Sequence, residues 1–354
     1  MAEQPNSKRK RAESPDRSTA VVKVAHSNIW YDDGNVILQA QGTQFRVHKS
    51  ILAQNSSVFN DMFSFPQPPT TNAGLVEGCP VVHLSDSAEE LKYVLETILE
   101  HKHMAFGEKM PLPVLAALLC LGKKYDIHKL HVDARRRLFE SFPITLKKSD
   151  TVTLWHGLEE TDDIYFQLLL IARRAEPELV SILPRALYEC CQQYSTYQIK
   201  NGISINGSVV RLSPEDQITL LAGHRAIREA LADTTHDWLL KYQAVAHAQG
   251  CITPGHCYTS RLETFVSIFS FKSTPCGLED WAHISGELMD ELCKYCTKTA
   301  RAEHAIGRNK LWDQLPGLFD LPAWDELLKE REELYVLSYI TIELLSGSSH
   351  IRRE

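Results

Sequence analysis

No apolar run in this 354-residue chain approaches the ~18 residues of a membrane span. The longest, Val114 to Leu121, has the length of part of a buried helix. The first residues, Met1-Ala2-Glu3-Gln4-Pro5, lack the apolar core of a secretory signal, so an intracellular location, nucleus or cytoplasm, is expected. Signatures of nucleotide, dinucleotide and serine-hydrolase chemistry are also missing: there is no P-loop, no G-x-G-x-x-G and no G-x-S-x-G. His156, His224 and His236 lie near acids or thiols in sequence only, which does not make a catalytic triad, and no enzyme is expected. Positive charge is in deficit, with 38 Lys+Arg against 45 Asp+Glu and a net charge of −7. That balance argues against a protein-wide nucleic-acid surface. Arg135-Arg136-Arg137 and Lys147-Lys148 do not reverse it, because consecutive arginines on a helix point in different directions. The nine cysteines are an odd number, widely scattered, and suit free thiols or metal ligands in a reducing compartment better than a disulfide framework.

The length suits two domains. Residues 1–24 have the composition of a disordered tail and carry the basic cluster Lys8-Arg9-Lys10-Arg11, which fits either a nuclear-import signal or a solvated charge run. Residues 35–47 read as a hairpin: Val36-Ile37-Leu38 is β-prone, Gln41-Gly42 supplies a turn, and Phe45-Arg46-Val47 alternates. A helical pattern follows from His48, with Val58, Phe59, Met62 and Phe63 on one face. A Pro/Gly-rich loop then leads to the short strand Val81 to Leu84. Ser87-Ala88-Glu89-Glu90 fits a capping box ahead of a helix lined by Leu91, Val94, Leu95, Ile98 and Leu99. Two more helices are predicted, one opening at Pro113 and one from about Lys129 to Phe139.

These residues resemble the BTB/POZ domain. Phe45 to Leu52 is similar to the family's "F-x-V-H-K-x-x-L", and Ser57 to Phe63 to its "S-x-x-F-x-x-M-F". Leu84-Ser85-Asp86 is similar to its "L-x-D", and Leu121 to Leu130 to its "A-x-K-Y-x-I-x-x-L". The resemblance implies an α+β BTB/POZ domain, a small sheet packed with a helical cluster, at residues 25–142. It also implies an interaction module with protein partners, including a homodimer through the BTB domain. On physical grounds Phe45, Val47, Leu52, Phe59, Met62 and Phe63 are core residues, worth about 1.5–3 kcal/mol each if fully buried. His48 is placed to satisfy backbone groups between hairpin and helix. Asn35 stands where many members carry the Asp of a charged dimer pocket, which puts that version of the pocket in doubt. The apolar-x-Glu of cullin-recruiting members is missing after Phe63, leaving a cullin ubiquitin-ligase adaptor as an alternative reading. Trp30 to Asn35, and Gly307-Arg308 through Trp312, Leu315-Pro316 and Leu321-Pro322 to Trp324, resemble BTB proteins of mushroom-forming fungi.

Beyond residue 143 strand signals nearly vanish, and a mostly α-helical C-terminal region is expected. Its expected parts are a helical extension at 143–192, a turn-rich linker or hairpin at 193–212, and a helical domain at 213–354. Ser213-Pro214-Glu215-Asp216 is a helix start, and helical patterning runs on to about Ala248. Cys251 and Cys257 lie in a Pro/Gly-containing loop, and Cys293-Lys294-Tyr295-Cys296 supplies a C-x-x-C. Together they are the candidate ligands of a structural Zn²⁺, with His256 or Cys276 as substitutes. The competing reading is a core stripe of Met289, Cys293, Cys296 and Ala300 on one helix. A third functional reading, a transcription regulator using the cysteine cluster, is weakened by the net acidity.

Overall fold

The computed structural model describes residues 24–65, 75–104, 108–151, 157–175, 178–241, 250–270, 276–284, 291–332 and 334. The basic cluster Lys8-Arg11, His156 and Met289 lie outside the described residues. The chain divides into two compact units, one of residues up to 50 plus those before 90 that follow Phe65, the other of residues 51–65 and 90 onward.

The first unit contains a mixed five-stranded sheet: β1 (Ala25–Trp30), β2 (Val36–Ala40), β3 (Thr43–Val47), β4 (Leu75–Val76) and β5 (Cys79–Leu84), in the order β1-β3-β2-β5-β4. β2 pairs antiparallel with β3, Leu38 opposite Phe45, and parallel with β5, Ile37 opposite Val81. The hairpin turn is Gln41-Gly42, with φ of 44° and 81°. Both are left-handed, the twist that two-residue hairpins require and that glycine adopts without strain. Val36, Ile37 and Leu38 are all fully buried, as the continuous apolar run of a central strand demands. Asn35 acts locally, its Oδ1 accepting a hydrogen bond from Lys49 N at 2.8 Å and so capping the helix α1 (Lys49–Asn55). His48 Nε2 lies 3.3 Å from Asp33 Oδ1, so the ring is held by a carboxylate where backbone groups were expected.

The second unit is helical. Ser56 caps α2 (Ser57–Ser64), accepting from Phe59 N at 3.0 Å and donating to the Tyr125 carbonyl. Phe59 stacks on Tyr125 with ring centroids 4.8 Å apart. Only Phe59 of the expected apolar face is buried; Met62 and Phe63 are half-buried and Val58 is exposed, since an eight-residue helix has room for a narrow stripe only. α3 (Ala88–Glu100), α4 (Leu112–Lys124) and α5 (His128–Ser141) follow. α4 buries Leu112 and every residue from Val114 to Leu119, so it is an interior helix, apolar on all sides.

After residue 143 come helices at Leu146–Thr151, Ile164–Ala175, Leu183–Gln193, Thr196–Asn201, Pro214–Asp233, Asp237–Leu240, Pro254–Phe269, Trp281–Ile284 and Lys294–Gln314, with a further helical stretch at 324–332. Ile203–Ile205 and Ser208–Val210 form a small hairpin around Asn206-Gly207. Ser213 caps the Pro214 helix as its sequence predicts, accepting from Asp216 N at 3.1 Å.

That helix stops at Asp233 instead of continuing to Ala248, of which 242–249 lie outside the described residues. Gly307 packs against the backbone just past the stop: a Cβ there would sit 2.3 Å from the Thr234 carbonyl oxygen and 2.6 Å from Thr235 Cα. The Lys294–Gln314 helix therefore runs directly against a broken backbone at Thr234 to His236. Arg308, 5% exposed, donates to the Leu278 carbonyl at 2.6 Å and to Asp150 at 2.6 Å. Trp312 Nε1 donates to the Ile144 carbonyl, and Trp324 stacks on Trp312 at 5.3 Å. Farther on, the Glu330 carboxylate accepts from Val180 N and Ser181 N at 3.0 and 2.7 Å. Arg331 donates to Ser181 Oγ at 2.7 Å and to the Phe139 carbonyl at 3.2 Å.

Candidate metal centre

Two helix N-termini carry three of the four cysteines. Cys257 lies in the first turn of the Pro254–Phe269 helix, so the Pro/Gly loop expected to hold it begins a helix instead. Pro254 opens that helix because its missing N–H would have had no partner there. Cys293 is the N-cap of the Lys294–Gln314 helix, and Cys296 sits in its first turn. Cys251 comes from the irregular segment ahead of Pro254. The four Sγ atoms all lie within 4.8 Å of one another, with Cys251 at 3.4 Å from Cys296 and 3.9 Å from Cys293. A tetrahedral ion with Zn–S bonds of ~2.3 Å needs sulfur atoms about 3.8 Å apart. The four thiols therefore fit such an ion, and the cluster could hold one.

All four are free thiols, Cys257 and Cys296 buried and the other two half-buried. They are set in a core of Trp238, Leu239, Trp281, Leu292 and Ala300. Backbone N–H groups support the sulfurs: Cys293 N donates to Cys257 Sγ at 3.4 Å. Burial alone would raise the Cys293 thiol, yet hydrogen bonds from the N–H groups of Cys296 and Ile252 and from neighbouring thiols bring it down to about 6. Burial raises Cys251. Burial raises Cys296 too, and its hydrogen bonds with Cys251, Cys293 and Cys257 raise it further. A bound divalent ion deprotonates its thiol ligands outright. Four sulfur ligands leave no open position for substrate, so the chemistry on offer is structural and not catalytic.

The substitutes do not join the set. His256 is exposed beside Cys257. Cys276 lies 3.8 Å from Gln192 Oε1 and lines a cavity of about 890 Å³ together with Asp150, Glu160, Asp162, Glu279 and Asp280. Nor does one helix carry the alternative core stripe: the helix begins only after Cys293, so the stripe reduces to Cys296 and Ala300. Sequence pattern does not reveal the acidic cavity, because its carboxylates, Glu189 among them, come from four separated segments. The pairing of His236 with His304 is hidden for the same reason. Their rings are 6.1 Å apart, and each Nε2 meets a carbonyl, Cys276 O at 2.9 Å and Glu279 O at 3.2 Å. Burial lowers both imidazoles, and His304, which also faces His236 and Arg308, falls to about 3.

Residues 31–141 match the family model of the BTB/POZ domain. The sheet and the helices up to Ser141 are thus those of a BTB domain, a protein-interaction module, followed by a mostly helical C-terminal region. No curated protein matches the chain. Among the described residues, no helix is long and apolar enough to cross a membrane.

Proposed function

We propose that this chain is a non-enzymatic interaction protein. Its BTB domain, taken as residues 25–142, self-associates, and its helical remainder carries a second binding specificity held in shape by a structural Zn²⁺ on Cys251, Cys257, Cys293 and Cys296. The BTB match over residues 31–141 carries the first part. The convergence of four sulfurs within 4.8 Å supports the second. The remaining stretches are read as a helical extension (143–192), a hairpin linker (193–212) and a helical domain (213–354). The resemblance to BTB proteins of mushroom-forming fungi belongs to the same reading, and Gly307, Arg308, Trp312 and Trp324 gain physical roles within it, as a close approach, a buried cation and a stacked indole pair.

Bound in the cluster, the metal would supply no reaction; it would tie the 251–257 segment to the start of the Lys294–Gln314 helix. Size-exclusion chromatography with light scattering on the full chain tests the first part: a dimer that dissociates on dilution is expected, and a monomer at all concentrations defeats it. Elemental analysis of protein purified under reducing conditions tests the second, with stoichiometric zinc expected. Nuclear or cytoplasmic residence turns on Lys8-Arg11; deleting that run shifts the protein to the cytoplasm if it is an import signal, and leaves its distribution unchanged if it is a solvated tail.

A further inference from the structure

Arg261 is 2% exposed, among the most deeply enclosed side chains of the helical unit. It stands one turn after Cys257 on the Pro254–Phe269 helix, on the same face. A guanidinium stays charged at any physiological pH and presents five N–H donors. Here those donors are poorly matched. Nη1 donates to the carbonyls of Trp238 and Lys241, both at the long distance of 3.3 Å, and Nε is buried with no hydrogen-bond partner among the described residues. The ring of Tyr258 lies 5.8 Å from its carbon centre. Glu291 on the adjoining segment is exposed and takes its hydrogen bond from Ser260.

A buried cation without an opposite charge is among the costliest arrangements a fold can contain. Its Nη1 is held by the carbonyl of Trp238, which packs in one core with Cys257 and Cys296; burial works against the charged guanidinium, and Cys296 and Cys257, then Tyr258 and Cys251, work for it. Four neutral thiols would leave the guanidinium unmatched. Four thiolates around one divalent cation carry a net charge of −2, which matches it. A buried arginine is therefore out of place beside a cysteine core and well placed beside a tetrathiolate centre.

We propose that Arg261 is the built-in counter-charge of the four-cysteine centre, a positioning residue that raises the centre's hold on a divalent metal. The proposal rests on the metal reading and sharpens it, since it fixes the charge state in which the site is stable. The rival role for Arg261 is a plain anchor for the carbonyls at the end of the Asp237–Leu240 helix, indifferent to the metal.

The experiment uses the full chain, reduced and zinc-loaded, in competition with a chromophoric zinc chelator. Arg261→Met is expected to weaken zinc binding by roughly 10–100-fold, the range for loss of an outer-shell partner. Arg261→Lys, which keeps the charge but not the fork, is expected to retain most of the affinity, and exposed Arg225→Met to change nothing. A second readout is the fall in melting temperature when the metal is stripped. It is expected to be smaller in Arg261→Met than in the unaltered protein, whose stripped form keeps an unmatched buried cation. If Arg261→Met does not fold, Arg261→Gln carries the same two readouts. Unchanged zinc affinity together with an unchanged stripping loss in the folded variants overturns the counter-charge role and leaves Arg261 as the carbonyl anchor. Failure of the unaltered protein to take up either Zn²⁺ or Co²⁺ overturns the metal reading itself, a result that no variant is needed to recognise.

Discussion

Strand β2 buries Val36, Ile37 and Leu38 completely, whereas residues 234–331 bury Thr234, His236, Arg261, His304, Arg308 and Arg331. The first interior is apolar and non-directional, and its stability scales with area removed from water. The second sets polar groups among buried apolar side chains such as Trp238, Trp281 and Leu311, and those groups depend on one or two partners each: Arg308 on Leu278 O and Asp150, Arg331 on Ser181 and Phe139 O, and the cysteines on one another, with Arg261 only partly matched. An apolar interior tolerates changes of pH, chelator and ionic strength. A matched polar interior loses stability whenever one partner changes charge, since the group left behind is buried and unmatched.

The sharpest way to separate the two is to remove a sulfur. Cys296→Ser is expected to abolish stoichiometric metal and to destabilise the helical unit by at least about 3 kcal/mol, roughly 6–12 °C in melting temperature. Chelator should reproduce the effect in the unaltered protein and add nothing to the variant, as read by thermal melts and metal analysis. In the sheet, Phe45→Ala removes a side chain 1% exposed and should cost about 3–5 kcal/mol by denaturant titration. Its cost should be the same with and without chelator, and a metal-dependent cost would erase the distinction between the two interiors. Gly307→Ala places a Cβ 2.3 Å from the Thr234 carbonyl oxygen and should cost about 2 kcal/mol. Gly317→Ala, with nothing within 4 Å of its Cβ, should stay within about 0.5 kcal/mol of the unaltered protein.

The smallest effect is the dependence on pH. His304 is held near 3 in the folded chain, below the ordinary 6.5, chiefly by burial. Above pH 6.5 both folded and unfolded states hold it neutral, and its full contribution is present. Below that value the unfolded chain takes up the proton first, so stability falls with pH until the folded pKa is reached. Between pH 7 and 5.5 the loss from this residue should be about 1 kcal/mol, and His304→Gln should flatten that part of the melting-temperature profile. Phe45→Ala should leave its slope unchanged.

The elements that sequence pattern identifies are those whose cause is local. Gln41-Gly42 announces its hairpin, Ser213-Pro214 its helix, and Val36 to Leu38 their interior strand. The four cysteines are legible as a set because few other residue types bring that chemistry. What escapes has a cause elsewhere in the chain. The apolar pattern after Asp233 continues, but Gly307 lets another helix against the backbone at Thr234. Nothing in the sequence pattern marks Arg261 as buried, because its partners at Trp238 and Lys241 lie on a separate segment. Pro254 and Gly255 suggest a loop around Cys257, although proline is also the residue that opens helices.

The bond between Arg331 and the Phe139 carbonyl joins residues 192 positions apart in sequence. During synthesis α5 leaves the ribosome long before the residue that completes it. At ~5–20 residues per second the delay is on the order of 10–40 s. Until then the Phe139 carbonyl lacks Arg331, and the N–H groups of Val180 and Ser181 lack the Glu330 carboxylate. These contacts of the helical unit therefore wait on the stretch at 324–332, which is made last among their partners.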